Sequence, residues 1–409
     1  MARRRGFFGW QVVGACFVLA VFAWGIGFYG PGIYLHALHE REGWSAGLLS
    51  GAITLHFLAS AAIVPFLPRM LGRFGTVAVT AGGAVASALG VLAWAWASEP
   101  WHLVPAALLT AAGWSAHSTA AINAILSPWF DRRRPMALSL AYNGASIGGV
   151  AFSPLWAFLI GWIGFGWAAS VVAAATLLVL WPLAVRWFRP TPAALGLFPD
   201  GADAPPPPRP AAAGTAGPLW RQPPFRSLSL AFALGLTAQM GLLTTLFAIL
   251  APVLGTQGAG LALSLATACA ILGRTAVGTL LPAGMDRRLA GVANFLVQAV
   301  GSVVLAAAAG ESATLLLLGV ILFGLGIGQL LSLPPLIAQA EWPAEAVGRV
   351  VATVSAVMTA FCAFGPALLG VALDHFGPAA PPLLALGLQA AAAGVLLVNR
   401  QLPCRRGPG

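Results

Sequence analysis

Every basic residue of this chain is an arginine, and nineteen of the twenty-one fall on alternate breaks between long apolar runs. These breaks hold Arg3 to Arg5, Arg69 and Arg73, Arg132 to Arg134, Arg186 to Arg226, Arg287 and Arg288, Arg349, and Arg400 to Arg406. The intervening breaks hold a single arginine, Arg41. Positive residues flank membrane-crossing segments on the cytoplasmic side, so the pattern places odd and even breaks on opposite faces of a bilayer. Arg274 lies inside an apolar run and fits neither side.

Composition agrees. With 59% hydrophobic residues, 8% charged and a mean hydropathy of +0.87, 409 residues carry too little polar surface to cover a soluble globule. A net charge of +10 would suggest nucleic acid in a soluble protein, but here the charge is spread over loops. The reading is therefore no nucleic acid, with membrane lipids as the surroundings and a contribution from anionic headgroups. Cys16, Cys269, Cys362 and Cys404 are far apart and offer neither a disulfide framework nor zinc spacing. The apolar stretch after Arg5 is too long for a signal peptide and reads as a first membrane helix.

Breaks at charged and Gly/Pro-rich points give runs near 8–35, 45–67, 76–97, 103–127, 136–160 and 167–188, then 227–251, 261–283, 290–309, 313–338, 347–372 and 380–399. The fold class expected is all-α and integral to the membrane, with twelve transmembrane helices in two pseudo-symmetric six-helix bundles. An even number of crossings from a positive first break puts both termini in the cytoplasm. The domains expected are 1–188, a Pro-rich cytoplasmic linker at 189–226 that tethers the halves, and 227–409 with a short basic tail. The halves repeat weakly: Leu49, Ser50, Leu67 and Pro68 align with Leu263, Ser264, Leu281 and Pro282, and Pro154 with Pro366.

Ionisable groups at bilayer depth are costly and mark function. All eleven acids fall on breaks. Arg274 does not, and it is joined at depth by His56, His117, Asn123, Asn143, Gln239, Asn294, Gln298 and Gln329. A permanently charged guanidinium there needs an anion, water or carbonyls. Three roles stay open for Arg274: contact with a transported anion, structural bonding to backbone or a polar neighbour, and gating. His117, among small residues, can titrate near neutral pH or simply bond a neighbouring helix. His56 has the same two readings, polar packing or proton coupling. Asn123, Gln239 and Gln329 can line a path or pack. His36, His39 and Glu40 cluster outside, but an interfacial loop explains them as well as a metal site does. No metal or other cofactor is expected, and no catalytic residues.

At this point the chain resembles the major facilitator superfamily, in its monocarboxylate-porter and oxalate/formate-antiporter-like branch. The resemblance rests on Gly9-Trp10 with Gly25 to Gly30, on Trp129 to Arg134 leading into Ala137, Leu138 and Gly144, and on Gly273-Arg274. Gly348-Arg349, Gly365-Pro366, Gly370 and Asp374 to Gly377 complete it. It implies a secondary transporter working by alternating access without ATP, functional as a monomer in a plasma membrane such as the bacterial inner membrane. Arg274 would engage a substrate carboxylate, and Arg69, Arg73, Arg132, Arg133 and Arg134 would belong to the cytoplasmic gating loops. Three positions depart from the family pattern: Ala270 where an acid precedes the arginine, Phe28 near the place of a lysine, and Gly72 where an aspartate is usual. The function expected is movement of a small organic anion, such as a monocarboxylate. The alternatives are an exporter of drug-like or amphipathic compounds and an integral-membrane enzyme, the last disfavoured because neither Asp131 nor Asp286 has an acidic companion.

Overall fold

The computed structural model describes residues 7–44, 46–202, 204, 218–280, 285–308 and 311–398. Arg3 to Arg5, Pro205 to Pro208, Pro210, Leu281, Pro282, Arg400 to Arg406 and Cys404 lie outside the described residues. The chain divides into two compact units, Met1–Pro208 and Arg209–Gly409.

The first unit contains α1 (Gly9–Gly27), α2 (Gly30–Glu42), α3 (Ala46–Ile63), α4 (Leu67–Ala95), α5 (Leu103–Ala116), α6 (Thr119–Leu126) and α7 (Arg134–Leu183). The second contains α8 (Pro223–Leu280), α9 (Arg287–Ala308), α10 (Ala313–Ile327), α11 (Gln329–Glu341), α12 (Ala344–Cys362), α13 (Gly365–Phe376) and α14 (Ala380–Val398). The longest helices are each two segments joined at one glycine. Gly75, Gly164 and Gly255 have φ of 79°, 77° and 70°. Only glycine enters that left-handed region without steric cost, so the chain reverses there with no loop at all.

Nine stretches among the described residues are individually long and apolar enough to cross a bilayer. One of them, Gly51–Ala95, folds at Gly75 and crosses twice. The broken pair α5 and α6, and the first arm of α7, complete twelve crossings, six per unit. The all-α, twelve-helix expectation therefore holds. Its repeat is visible in the turns: Gly43 and Gly255, like Gly164 and Gly377, recur at nearly the same offset as Pro154 and Pro366.

Lipid tails are as apolar as leucine, so helices in a membrane associate by close packing rather than by escape from water. In the first unit α1 runs along α7, and α4 packs on α5 and α7. A β-carbon at Gly144 would collide with Phe17 O, which is why that crossing needs a glycine. Tyr34, Trp94 and Trp156 form the fully buried centre, with the Tyr34 ring 5.3 Å from Trp156 and its hydroxyl donating to Ile26 O at 3.0 Å. In the second unit α8 packs on α10, α12, α13 and α14, and α9 on α10 and α14.

The lone arginine of the intervening breaks has a local explanation. Arg41 donates Nη1 to Ala95 O and Nη2 to Ala97 O at 2.6 Å, so it closes the carbonyl end of α4. A cation at a helix C-terminus meets both the unsatisfied carbonyls and the helix dipole.

The expected tether from 189 onwards is only partly a tether. Residues 189–201 form short 3-10 turns at Ala193–Leu195 and Pro199–Gly201 and return to the first unit. At the other end the buried Gln222 accepts from Trp342 Nε1 at 2.9 Å and belongs to the second unit. Proline denies a segment regular hydrogen bonding but not single anchoring contacts, and those decide where a linker begins.

Candidate functional site

Arg274 sits on the second arm of α8, 1% exposed. Gly273 brings that arm so close to α10 that a β-carbon would strike Leu325 O. The Arg274 Nε then donates to Gly328 O at 2.9 Å. Gly328 is the joint between α10 and α11, where the interrupted helix leaves a carbonyl to offer. A β-carbon there would stand 2.8 Å from Arg274 Cβ and 2.9 Å from its Nε, so glycine is required for the contact. Binding sites in transporters are commonly built at such interruptions, where freed backbone groups face a cavity.

The next residue, Gln329, is 2% exposed. Its Oε1 accepts from Ser332 Oγ at 3.2 Å, while its Nε2 has no hydrogen-bond partner among the described residues. Gln239 Oε1, Asn294 Nδ2 and both amide atoms of Gln298 are likewise buried and unpartnered among the described residues. Leaving such groups dry costs about 1–3 kcal/mol each, so they call for water or a polar ligand. The structure thus brings Arg274 and Gln329 to one helix joint, with Gln239 on the first arm of α8.

His117, Asn123 and His56 of the first unit are engaged with their own bundle. His117 follows α5, is 1% exposed, and its Nε2 lies 2.9 Å from Thr80 O on α4. Asn123, also 1% exposed, accepts from Arg134 Nη2 at 2.9 Å. His56 is fully buried, with Nδ1 2.9 Å from Thr110 Oγ1 and Nε2 3.0 Å from Gly27 O at the joint of α1 and α2. Outside, His39 Nδ1 meets Trp44 O at 2.7 Å, and no cluster of three potential metal ligands occurs among the described residues.

Arg69 and Arg73 lie over the rings of Phe66 and Phe74 at 5.9 and 5.4 Å. The loop bearing Arg132 and Arg133 is held by a residue that the sequence did not single out. The Asp200 carboxylate accepts from the backbone N–H of Asp131 at 3.2 Å, Arg132 at 2.7 Å and Arg133 at 3.2 Å. Its own N–H donates to Trp129 O at 2.9 Å, and Asp200 takes a left-handed φ of 63° to do so. Around it Phe7 and Trp10 pack on Phe130 at 5.6 and 4.9 Å. Asp200→Ala is expected to lose about 1–3 kcal/mol from this corner, seen as faster proteolysis within residues 129–134 and 189–201; an unchanged cleavage rate would remove Asp200 from that role.

A second missed element lies in the other unit. Arg288, 5% exposed, donates Nε and Nη2 to Glu341 Oε1 and Oε2 at 2.6 and 2.8 Å. It also reaches Ser227 Oγ at 2.8 Å and Pro224 O at 2.9 Å. One guanidinium therefore ties together the ends of α8, α9 and α11. The available signal was a buriable bidentate partner for a loop arginine, but the two residues lie 53 positions apart.

Matches to known proteins agree with this architecture. Over 177 residues, 42% of this chain and 40% of the relative, the sequence is 28% identical to monocarboxylate transporter 13 of Bos taurus. Monocarboxylate transporter 11 of Mus musculus is 29% identical over 42% of this chain and 38% of its own length. MFS transporter asaE of Aspergillus flavus is 27% identical over 41% and 38%. The chain thus spans about two fifths of the curated relatives it matches. The fold is shared with the human organic anion transporter MFSD10 (TETRAN), with a TM-score of 0.66, 16% identity, and coverage of 97% of this chain and 100% of that one. A sequence model of the Major Facilitator Superfamily matches residues 13–366, so this multi-pass integral membrane chain belongs to that superfamily.

Proposed function

We propose that the protein moves a small organic anion, of the monocarboxylate class, by alternating access, and that Arg274 is the residue engaging the carboxylate. The observation that carries this reading is a buried guanidinium bonded to Gly328 O at the α10–α11 joint, where the next residue, Gln329, has a buried Nε2 with no hydrogen-bond partner among the described residues. Two donors at one broken helix suit a carboxylate, which accepts in two directions. The names of the relatives, monocarboxylate transporters, and of the fold neighbour, an organic anion transporter, support the same class.

Within this reading Gln239 and Gln329 contact the substrate. His117 and Asn123, engaged by Thr80 and Arg134, are structural. His56 ties α3 to α5 and to the α1–α2 joint, so a change of charge there would act on several helices at once, and it is the place to look for coupled protons. Domain limits follow the anchors rather than the proline content, with a first bundle to about residue 201 and a second from about 219. The setting proposed is a plasma membrane, with both termini on the cytoplasmic side and the monomer as the working unit.

The test is uptake of a panel of labelled monocarboxylates into proteoliposomes, with and without an imposed proton gradient. Saturable uptake of at least one member is expected. Flat uptake across the panel, with extrusion of cationic dyes instead, would overturn the reading in favour of a drug-like substrate.

A further inference from the structure

The end of α7 presents a feature that transport of an anion does not use. Pro182 lies inside the helix and is followed by a π-helical turn, Ala184–Phe188. Proline has no N–H to offer the preceding turn, and a π turn widens the coil, so the two together open a notch in the helix surface. The result is a cleft of about 570 Å³ lined by Trp181, Pro182, Val185, Arg186, Arg189 and Pro190.

The two sides of this turn differ sharply. Leu183, Ala184 and Phe188 are buried, and the turn packs against α1 and α4. The opposite side carries Leu178, Trp181 and Val185, at 76%, 51% and 41% exposure, then Arg186 and Arg189, both exposed. These positions follow helical spacing and make one continuous stripe, apolar along the membrane segment and cationic at its end. No acid occurs between Thr176 and Pro199 to neutralise the pair. The nearest in sequence, Asp200, is committed to the N–H groups of residues 131–133.

We infer that this cleft is a binding site for an anionic glycerophospholipid. Its phosphodiester would lie between Arg186 and Arg189 and an acyl chain along Val185, Trp181 and Leu178. Guanidinium groups suit a phosphodiester because their planar forks pair with two oxygens at once. A tryptophan at the boundary between chain and headgroup suits the interface itself. A free anion in water would use the arginines but gain nothing from a hydrocarbon-facing stripe. A zwitterionic lipid would use the stripe but meet two uncompensated cations. An anionic lipid satisfies both.

The experiment uses the purified full-length chain and native mass spectrometry, counting lipid retained after titration with phosphatidylglycerol or phosphatidylcholine. Phosphatidylglycerol is expected to be retained preferentially. The Arg186→Gln/Arg189→Gln double variant is expected to weaken that retention roughly tenfold to thirtyfold, two arginines' worth of attraction. Arg69→Gln/Arg73→Gln, which removes equal charge elsewhere in the unit, should leave retention within about twofold of the parent. Arg189→Lys keeps the charge and loses the fork, so it should fall between. Equal retention of the two lipids, or equal losses in the two double variants, would overturn the site and leave diffuse attraction. Displacement of phosphatidylglycerol by millimolar inorganic phosphate would overturn it too, as the mark of a bare anion site.

Discussion

Arg274→Ala is expected to weaken saturable anion uptake strongly in a protein that still inserts and folds. A charged hydrogen bond to a carboxylate contributes about 1.5–3 kcal/mol, so apparent affinity should fall roughly tenfold to a hundredfold. The structural share of the same side chain includes the bond to Gly328 O at 2.9 Å together with its packing, and these contribute to any stability loss. Arg274→Lys separates the two shares. It preserves the charge but not the planar fork, and should retain weakened uptake. The guanidinium stays protonated throughout the physiological range, so binding at Arg274 contributes no pH dependence of its own. Any fall in uptake with rising pH belongs to the substrate, to a gradient or to His56. Measured in proteoliposomes, unchanged affinity in a folded Arg274→Ala protein would disprove the carboxylate assignment.

Arg288→Ala should give the largest loss of stability. Breaking a fully buried ion pair by removing one partner costs about 3–5 kcal/mol, because the other charge stays behind uncompensated. Here Arg288 is 5% exposed and Glu341 28%, so water reaches the carboxylate and screens part of that cost. The expectation is about 2–3 kcal/mol after that discount. Loss of the bonds to Ser227 and Pro224 adds to the effect, since they tie α8 to the same guanidinium. The double replacement Arg288→Met/Glu341→Leu should be less destabilised than either single change, because no charge is stranded. Denaturant unfolding of the detergent-solubilised protein reports both. A single variant as stable as the parent would mean that the pair carries no structural load.

The crossings were legible in the sequence because each apolar run partitions into lipid on its own composition, without reference to the rest of the chain. The breaks that hold the reversing glycines were read from the sequence, but not which glycine makes each turn. Gly164 lies within the apolar stretch between residues 160 and 167, and nothing local separates a left-handed turn from a tight helix crossing such as Gly144. Asn123 read as able to line a path or pack, and His117 as a group that titrates or bonds a neighbouring helix, because both are polar and lie in apolar runs. The structure instead spends them on Thr80 O and Arg134. Polarity tells that a buried group needs a partner and not which one. Arg274 was found by the same logic and needed no geometry, since no loop could account for it. One of its acceptors, the carbonyl of a glycine at a helix joint, carries no side-chain signature at all.

The number of crossings, the all-helical class and the exceptional status of Arg274 thus belong to the amino-acid order, since insertion into lipid is settled segment by segment over about twenty residues. The pairing of buried groups belongs to the folded bundle. Arg274 meets Gly328 across 54 positions, Arg288 meets Glu341 across 53, and His117 meets Thr80 across 37. Each pairing depends on which helices lie side by side and on where a glycine or a broken helix lets a carbonyl be reached. Those are properties of packing between distant segments, and packing exists only once the helices have assembled.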